Sequence, residues 1–146
     1  MILIHGTVVA IAGAGVLLRG APGAGKSSLA LRLIDMPGFG LGQELLRARL
    51  VADDQIRLTK TSTGLMASAP PNLAGLLEIR GLGLVKLAHV AEIQLKLVVD
   101  LTEARGIPRM PEAHELATSL EGVSLRRMML DAADAAAPAK IRANLL

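Results

Sequence analysis

Apolar positions at the amino terminus form two strand-like runs with small residues between them. The runs "ILIHGTVVAI" and "GVLLRG" lie around residues 3–19, and Ala12, Gly13, Ala14 and Gly15 separate them. Short β-type runs joined by glycine-rich residues are typical of a hairpin. The pattern therefore predicts two paired strands at the start of the chain.

A helical periodicity follows the second run. In "SLALRLID" apolar residues recur among good helix formers, and Pro37, Gly38 and Gly40 come soon after. We therefore predict one helix that begins after a glycine-rich loop and ends before Pro37. Its apolar residues are Leu29, Leu31, Leu33 and Ile34.

The rest of the chain is mostly strand-like. Strands are predicted in "LVADDQIRLTKTSTGLMASAP", with "TSTG" as a hairpin turn, and in "LLEIR", "IQLKLVVDL" and "VSLRRMML". Pro108 and Pro111 interrupt a polar loop, and "DAADAAAPAKIRANLL" predicts a terminal helix interrupted by Pro138. The fold class expected is α/β (α+β-like), rich in strand and with few helices, in a single domain over residues 1–146.

Composition narrows the class of protein. The chain has 146 residues, 51% of them hydrophobic, and no cysteine. It therefore has no disulfide and no thiolate metal site. Glycines break the apolar runs before they reach the roughly 20 residues that a spanning helix needs, and the amino terminus lacks the pattern of a signal peptide. We expect a cytoplasmic protein without a membrane partner.

The positive net charge does little to distinguish between classes of ligand. The net charge is +3, and the only aromatic residue is Phe39. Single-stranded nucleic acids are usually held by aromatic stacking as well as by charge. A nucleic-acid partner is therefore not expected, whereas a phosphorylated ligand or an acidic protein fits the charge.

The sequence "GAPGAGKS" fits the phosphate-loop pattern G-x-x-x-x-G-K-[ST], and it lies between a predicted strand and a predicted helix. Glycines let successive backbone N–H groups face one anion at the start of the helix. The lysine adds positive charge at the β and γ phosphates, and the serine hydroxyl suits Mg²⁺. The predicted nucleotide-binding residues are Gly20, Ala21, Pro22, Gly23, Ala24, Gly25, Lys26, Ser27 and Ser28.

Two adjacent carboxylates stand in the strand-like "RLVADDQIRL". Successive strand residues point to opposite faces, so Asp53 and Asp54 are predicted to turn one inward and one outward. One carboxylate then suits the metal and the other suits the proton of an attacking hydroxyl. The sequence does not say which has which role, and a turn or strand end without function is the alternative.

Three stretches in this order resemble the catalytic domain of HPr kinase/phosphorylase. They are "HG" at His5 and Gly6, "GAPGAGKS" followed by "LVADD", and "LLEIRGLGLV" at residues 76–85. The resemblance covers about residues 3–130 and is most specific in "EIRGLG". It implies a phosphate-loop domain related to phosphoenolpyruvate carboxykinase, with a mixed and largely antiparallel sheet.

The resemblance also implies a role for each site residue. Lys26 would bind the phosphates, while Ser27 and Glu78 would bind Mg²⁺ together with one aspartate, with Asp54 a candidate there too. The other aspartate would accept the proton of the substrate serine, and Asp54 is preferred for that role. The implied catalytic residues are His5, Lys26, Asp53, Asp54 and Arg109.

The resemblance supports the roles of three further residues less directly. His5 matches the family's active-site histidine, which can tune the catalytic carboxylate. Arg109, in "GIPRMP", falls where the family carries an arginine that stabilises the transferring phosphoryl group. Arg80, with Gly81 and Gly83, belongs to the signature and would contact a partner subunit or the protein substrate.

The function implied is that of an ATP-dependent serine kinase of HPr, or of a similar phosphocarrier in a phosphotransferase system, with Mg²⁺ required. Reverse phosphorolysis and a homo-oligomer, a hexamer in the family, are further implications. The chain is similar to the short single-domain form of some proteobacteria, so regulation through an amino-terminal domain is not expected. A nucleotide-binding regulatory module and a generic small-molecule kinase or NTPase are the alternatives.

Overall fold

The computed structural model describes all 146 residues as nine strands and two α-helices. The strands are β1 (Ile2–Ile11), β2 (Ala14–Arg19), β3 (Ala48–Lys60), β4 (Leu65–Ser68), β5 (Leu76–Ile79), β6 (Gly83–Lys86), β7 (Glu92–Leu101), β8 (Ala117–Leu120) and β9 (Val123–Leu130). The helices are α1 (Lys26–Asp35) and α2 (Ala137–Asn144). The strand-rich architecture predicted from the sequence is confirmed.

Seven strands form one mixed sheet in the order β2-β1-β3-β4-β7-β9-β8. Only the β2–β7 and β7–β9 pairings are parallel, and all the others are antiparallel. Strand β7 pairs with both β4 and β2, so the hydrogen-bonded path from β2 through β1, β3 and β4 returns to β2. The largely antiparallel sheet that was expected is confirmed.

Two apolar clusters lie on opposite faces of this sheet. One contains residues of both helices, including Leu29, Leu33 and Ile141, packed against strand residues such as Leu18. The buried residues of the other cluster all come from strands. Alternating residues of β1 and β2 divide between the two clusters, which is why short apolar runs suffice to build both. Neither helix is long and apolar enough to cross a membrane.

The second helix differs from its prediction. Pro138 lies in the first turn of α2 and does not interrupt it, because a proline needs no hydrogen bond for its nitrogen there. Residues 131–136 form turns instead of helix. Asp131 and Asp134 accept hydrogen bonds from the backbone N–H groups of Ala133 and Ala136, which favours turns over helix in this stretch.

Arg142 of α2 fastens the two helices to each other. Its side chain is buried, and its guanidinium donates hydrogen bonds to the carbonyl oxygens of Leu33, Met36 and Leu46. Two of these carbonyls lie at the carboxyl end of α1, where helix carbonyls lack helical partners. Burial lowers the pKa of Arg142 from its ordinary value. The position of α1, and of the loop before it, therefore depends on α2.

Candidate active site

The phosphate loop, Gly20–Ser27, joins β2 to α1 as the motif predicts. Gly23 and Gly25 have φ angles of 82° and 98°, which L side chains rarely adopt. A Cβ atom at Gly25 would also lie 2.8 Å from the Cβ of Ala132. Both the backbone conformation and the close packing therefore require glycine at position 25.

Lys26 lies along the phosphate loop. Its ammonium donates hydrogen bonds to the carbonyl oxygens of Gly20, at 2.8 Å, and Ala21, at 3.2 Å. No carboxylate forms an ion pair with it. The positive charge of Lys26 is therefore not neutralised by the protein, and it lies beside backbone N–H groups that suit an anion.

Asp53 is the acceptor at the centre of the site. It is 7% exposed. The Thr7 hydroxyl donates to its Oδ1 at 2.8 Å, the Ser27 hydroxyl donates to Oδ1 at 3.0 Å, and the backbone N–H of Glu78 donates to Oδ2 at 3.2 Å. The Thr7 contact follows from the β1–β3 register, which places these two residues opposite each other. All the donors are neutral, so the protein offers this buried carboxylate no cation.

The donor set at Asp53 fits Mg²⁺. No group of three or more histidine and acidic side chains is arranged to hold a metal by itself. Mg²⁺ typically takes one or two carboxylates and completes its shell with phosphate oxygens and water. A serine hydroxyl and one buried carboxylate beside a phosphate loop meet that requirement, whereas they would not suit a metal that needs an all-protein shell.

Asp54 is exposed, whereas its neighbour Asp53 is buried. The alternation predicted for this pair is confirmed. Asp54 has a φ of 71°, a conformation that aspartate tolerates better than most residues and that is frequent at functional sites. It lies opposite Gly6, where a Cβ would come within 3.0 Å of the Leu18 carbonyl oxygen. The structure thus places Asp53, rather than Asp54, against Ser27.

The signature stretch forms the β5–β6 hairpin beside the phosphate loop. Gly81 in its turn and Gly83 at the start of β6 have φ angles of 92° and 93°. The hydrogen bond from the backbone of Glu78 to Asp53 fixes the start of the hairpin. The side chains of Glu78 and Arg80 are exposed and line a cleft of about 520 Å³ together with Lys26 and Ser27. We call this the first cleft.

Two predicted residues remain apart from this group. His5 is exposed, lies opposite Gln55, and has no hydrogen bond to either aspartate. It is two residues before Thr7 and therefore on the same face of β1. Arg109 is exposed in the segment between β7 and β8, has no ion pair, and does not line the first cleft. The structure brings Lys26, Ser27, Asp53 and Glu78 together, but not Arg109.

Sequence reasoning missed a charged network at the base of the phosphate loop. Arg19, the residue before Gly20, donates two hydrogen bonds to Asp100, at 2.8 and 2.9 Å, and Arg127 donates a third at 2.5 Å. Burial raises the pKa of Asp100, but the hydrogen bonds from both arginines outweigh it and leave that pKa below its usual value. The hydrogen bond to Asp100 raises the pKa of Arg19.

This network and Thr7 could not be found from local patterns. Arg19 and Asp100 are 81 positions apart, and Thr7 and Asp53 are 46 positions apart. Only the register of neighbouring strands brings each pair together. The single local signal was a carboxylate at the end of the apolar run "KLVVD", where an aspartate is unfavourable without a partner.

A glycine-rich loop between a strand and a helix, with its serine hydroxyl on a buried aspartate, defines a protein of the phosphate-binding class. The family model for the HPr serine kinase C-terminal domain matches residues 1–141. The chain belongs to this family, as the resemblance predicted.

Known relatives agree with this assignment. HPr kinase/phosphorylase of Bordetella pertussis is 35% identical over 141 residues, which are 89% of this chain and 42% of that protein. The enzyme of the same name from Exiguobacterium sibiricum is 42% identical over 82 residues, 56% of this chain and 23% of that protein. The chain thus spans less than half the length of these curated relatives.

A solved structure shows the same fold. The Hpr(Ser) kinase/phosphatase from Coxiella burnetii superposes with a TM-score of 0.78 at 22% identity. The match covers 99% of this chain and 88% of that one. The arrangement of strands and helices described above is therefore that of a known kinase/phosphatase fold.

Proposed function

We propose that residues 1–146 form one catalytic domain that transfers the γ-phosphoryl group of ATP to a serine of HPr or an HPr-like phosphocarrier. The observation that carries this proposal is the hydrogen bond from Ser27 at the end of the phosphate loop to buried Asp53, with Asp54 exposed next to it. Membership of the HPr serine kinase family supports the choice of substrate. The carrier would belong to a phosphotransferase system.

The phosphate loop and Lys26 would bind the phosphates. The loop offers backbone N–H donors to an anion, and Lys26 adds a positive charge that no carboxylate neutralises. Ser27 and Asp53, with Glu78 from the hairpin, would hold Mg²⁺. Once bound, the ion would neutralise charge on the phosphate oxygens. In this assignment Asp53 would be the aspartate that binds the metal, and Asp54 would be the one that accepts the proton.

Asp54 would accept the proton of the attacking serine. The serine oxygen forms a bond to the γ phosphorus, the bond from that phosphorus to the bridging oxygen breaks, and ADP leaves with the electron pair. An exposed carboxylate beside buried Asp53 suits this role, because a protein substrate must reach it from solvent. His5, on the Thr7 face of β1, would position the aspartates, and Arg109 would reach the phosphates only after its segment moves.

The β5–β6 hairpin would contact the carrier. It presents the cation of Arg80, which lines the first cleft, and two exposed apolar side chains, Leu82 and Leu84. Exposed apolar residues beside a reaction site are typical of a surface that a protein partner covers. The phosphorolysis in the relatives' names would use the same groups in reverse. The homo-oligomer that the resemblance implies remains a prediction, which light scattering can test by measuring the mass of the protein in solution.

The experiment that tests this function mixes the purified protein with [γ-³²P]ATP, Mg²⁺ and purified HPr and measures acid-stable label on HPr. We expect labelling that Asp54→Asn abolishes while ATP binding persists. Asp35→Asn, at the exposed carboxyl end of α1, is the matched control and should label normally.

Two results would contradict the proposal. ATP binding without any label on HPr would favour a regulatory module that binds nucleotide without transferring phosphate. Label on a sugar or nucleoside, but not on HPr, would favour a small-molecule kinase.

A further inference from the structure

Gly20, the first residue of the phosphate loop, lies between the rest of the loop and the end of β7. Its carbonyl oxygen accepts a hydrogen bond from the ammonium of Lys26 at 2.8 Å. A Cβ atom at Gly20 would lie 2.9 Å from the Cβ of Ala24 and 3.3 Å from that of Leu101, the last residue of β7. The position of Lys26 therefore depends on where the chain leaves β2 beside β7.

Arg19, the last residue of β2, pairs with Asp100 of β7 at this point. The two residues form the last register pair of the parallel β2–β7 ladder. The guanidinium of Arg19 donates from Nε to Oδ1 at 2.8 Å and from Nη2 to Oδ2 at 2.9 Å. A double contact of this kind fixes the relative orientation of the two side chains as well as their separation. It therefore holds the end of β2, and with it the start of the loop, against β7.

Arg127 of β9 is the second donor to Asp100. Its Nε donates to Oδ2 at 2.5 Å, and its Nη1 donates to the carbonyl oxygen of Glu115 at 3.0 Å. The side chains of Arg19, Asp100 and Arg127 are 31%, 23% and 24% exposed, so water screens them less than an ordinary surface ion pair. Both arginines share the carboxylate, but only Arg19 is next to the loop in the chain.

Neither Arg19 nor Asp100 is placed to touch a ligand of the phosphate loop. Neither residue lines the first cleft. They do not line the second cleft beside the loop either, which Pro22 and Leu101 help to form. An effect of this pair on a bound phosphate would therefore act through the loop backbone and Lys26.

We propose that Arg19 and Asp100 are positioning residues for the phosphate loop. The inference rests on the proposed function, since it requires a nucleotide on that loop. The pair would hold Gly20, whose carbonyl oxygen places Lys26, and would thereby keep the ammonium and the loop N–H groups in the arrangement that a triphosphate needs. Because the pair does not touch the transferring group, its loss should weaken ATP binding more than it slows transfer.

Three variants, measured by calorimetry with ATP and Mg²⁺, separate positioning from charge. Asp100→Asn removes a negative charge near the loop, so electrostatics alone predicts tighter binding of the anionic nucleotide. We expect binding to be about tenfold or more weaker instead, because Arg19 loses its double contact. Arg19→Lys keeps the charge but not the planar fork, and it should also bind ATP more weakly. Arg127→Lys, the same change at the other donor to Asp100, is the matched control and should bind ATP as the wild type does.

The same variants separate positioning from a loss of folded protein. A partly unfolded variant would show fewer binding sites at an unchanged Kd, and a lower kcat at an unchanged KM. We expect a raised Kd with the full number of sites. In transfer to HPr we expect a raised KM for ATP, with little change in kcat or in the KM for HPr.

Three results would overturn the inference. They are ATP binding by Asp100→Asn as tight as in the wild type or tighter, equal loss of affinity in Arg19→Lys and Arg127→Lys, and fewer sites at an unchanged Kd. Arg19→Lys keeps every charge of the network, so it remains a test even if Asp100→Asn does not fold. A wild-type protein that does not bind ATP would contradict the proposed function itself, and this inference with it.

Discussion

The hydroxyl of Ser27 lies 3.0 Å from a carboxylate oxygen of Asp53, 26 positions further along the chain. One residue ends the phosphate loop and the other lies in the middle of β3. This contact joins the group that would bind phosphate to the group that would bind a divalent cation.

Removal of the Ser27 hydroxyl should reduce the effect of Mg²⁺ on ATP binding. In Ser27→Ala, Asp53 loses a donor and the ion loses an oxygen ligand, so the gain in ATP affinity on adding Mg²⁺ should fall about tenfold or more. Titration calorimetry with and without Mg²⁺ measures this gain. Ser27→Thr retains the hydroxyl and should keep most of it; the same Mg²⁺ effect in Ser27→Ala and the wild type would exclude Ser27 from the metal site.

Thr7 should contribute to stability through Asp53. In Thr7→Val, a buried carboxylate loses its 2.8 Å donor while the shape of the side chain is preserved. The free energy of unfolding should fall by about 1–3 kcal/mol, measured by urea denaturation. Thr7→Ser, which retains the hydroxyl, is the control. A Thr7→Val protein as stable as the wild type would mean that Ser27 and the Glu78 N–H satisfy Asp53 without Thr7.

Arg142 should be the most sensitive arginine of the fold. Arg142→Met removes the donor of three carbonyl oxygens in a site that is 3% exposed, and we expect a loss of about 2–4 kcal/mol. Arg126→Met is the matched control, since Arg126 is exposed and donates only to Asn144. Urea denaturation of both variants compares them. Equal losses would show that Arg142 has no special part in holding α1.

Asp100 should make stability depend on pH in the acid range. Its pKa is lowered in the folded protein by Arg19 and Arg127, so the stabilisation is present above the unfolded-state pKa of about 3.9 and is lost as the pH falls through the folded-state pKa. The Asp100→Asn variant lacks this stabilisation. The difference in unfolding free energy between wild type and variant should be constant above about pH 5 and shrink below about pH 4.

The sign of this dependence can be checked against an unpaired carboxylate. Asp35 is exposed and has no ion pair, so Asp35→Asn is the control for the removal of a carboxylate that pairs with no cation. Unfolding free energies are measured by urea titration from pH 3 to pH 7. A difference for Asp100→Asn that grows as the pH falls would contradict the ion-pair explanation.

The sequence predicted the first hairpin, α1 and the long strands, because their apolar patterns or turn residues are strong. It missed β6 (Gly83–Lys86) and β8 (Ala117–Leu120), which have only four residues each and no clear alternation. It also placed the start of the last helix too early. The side chains of Asp131 and Asp134 bond the backbone there, and this local competition outweighs the helix propensity of the alanines.

Part of the candidate site was predictable because its residues form a local sequence motif. The loop glycines, Lys26 and Ser27 form a motif whose members are close in sequence, so spacing alone placed them together. Which of Asp53 and Asp54 contacts Ser27 depends on the face of β3 that meets α1, and no local pattern fixes that face. The Arg19–Asp100 pair joins strand ends that are distant in the chain and could not be inferred from residue spacing.

Strand β2 pairs with its chain neighbour β1 on one side and with β7 on the other. During synthesis the hairpin can form early, but the opposite edge of β2 has no partner until about the hundredth residue leaves the ribosome. Pairings over such separations form slowly and leave strand edges open to aggregation. A nascent chain thus has the whole phosphate-loop sequence long before the sheet that supports it. A nucleotide bound as proposed would stabilise the protein only after β7 is in place, so early-terminated chains should be insoluble even with ATP present.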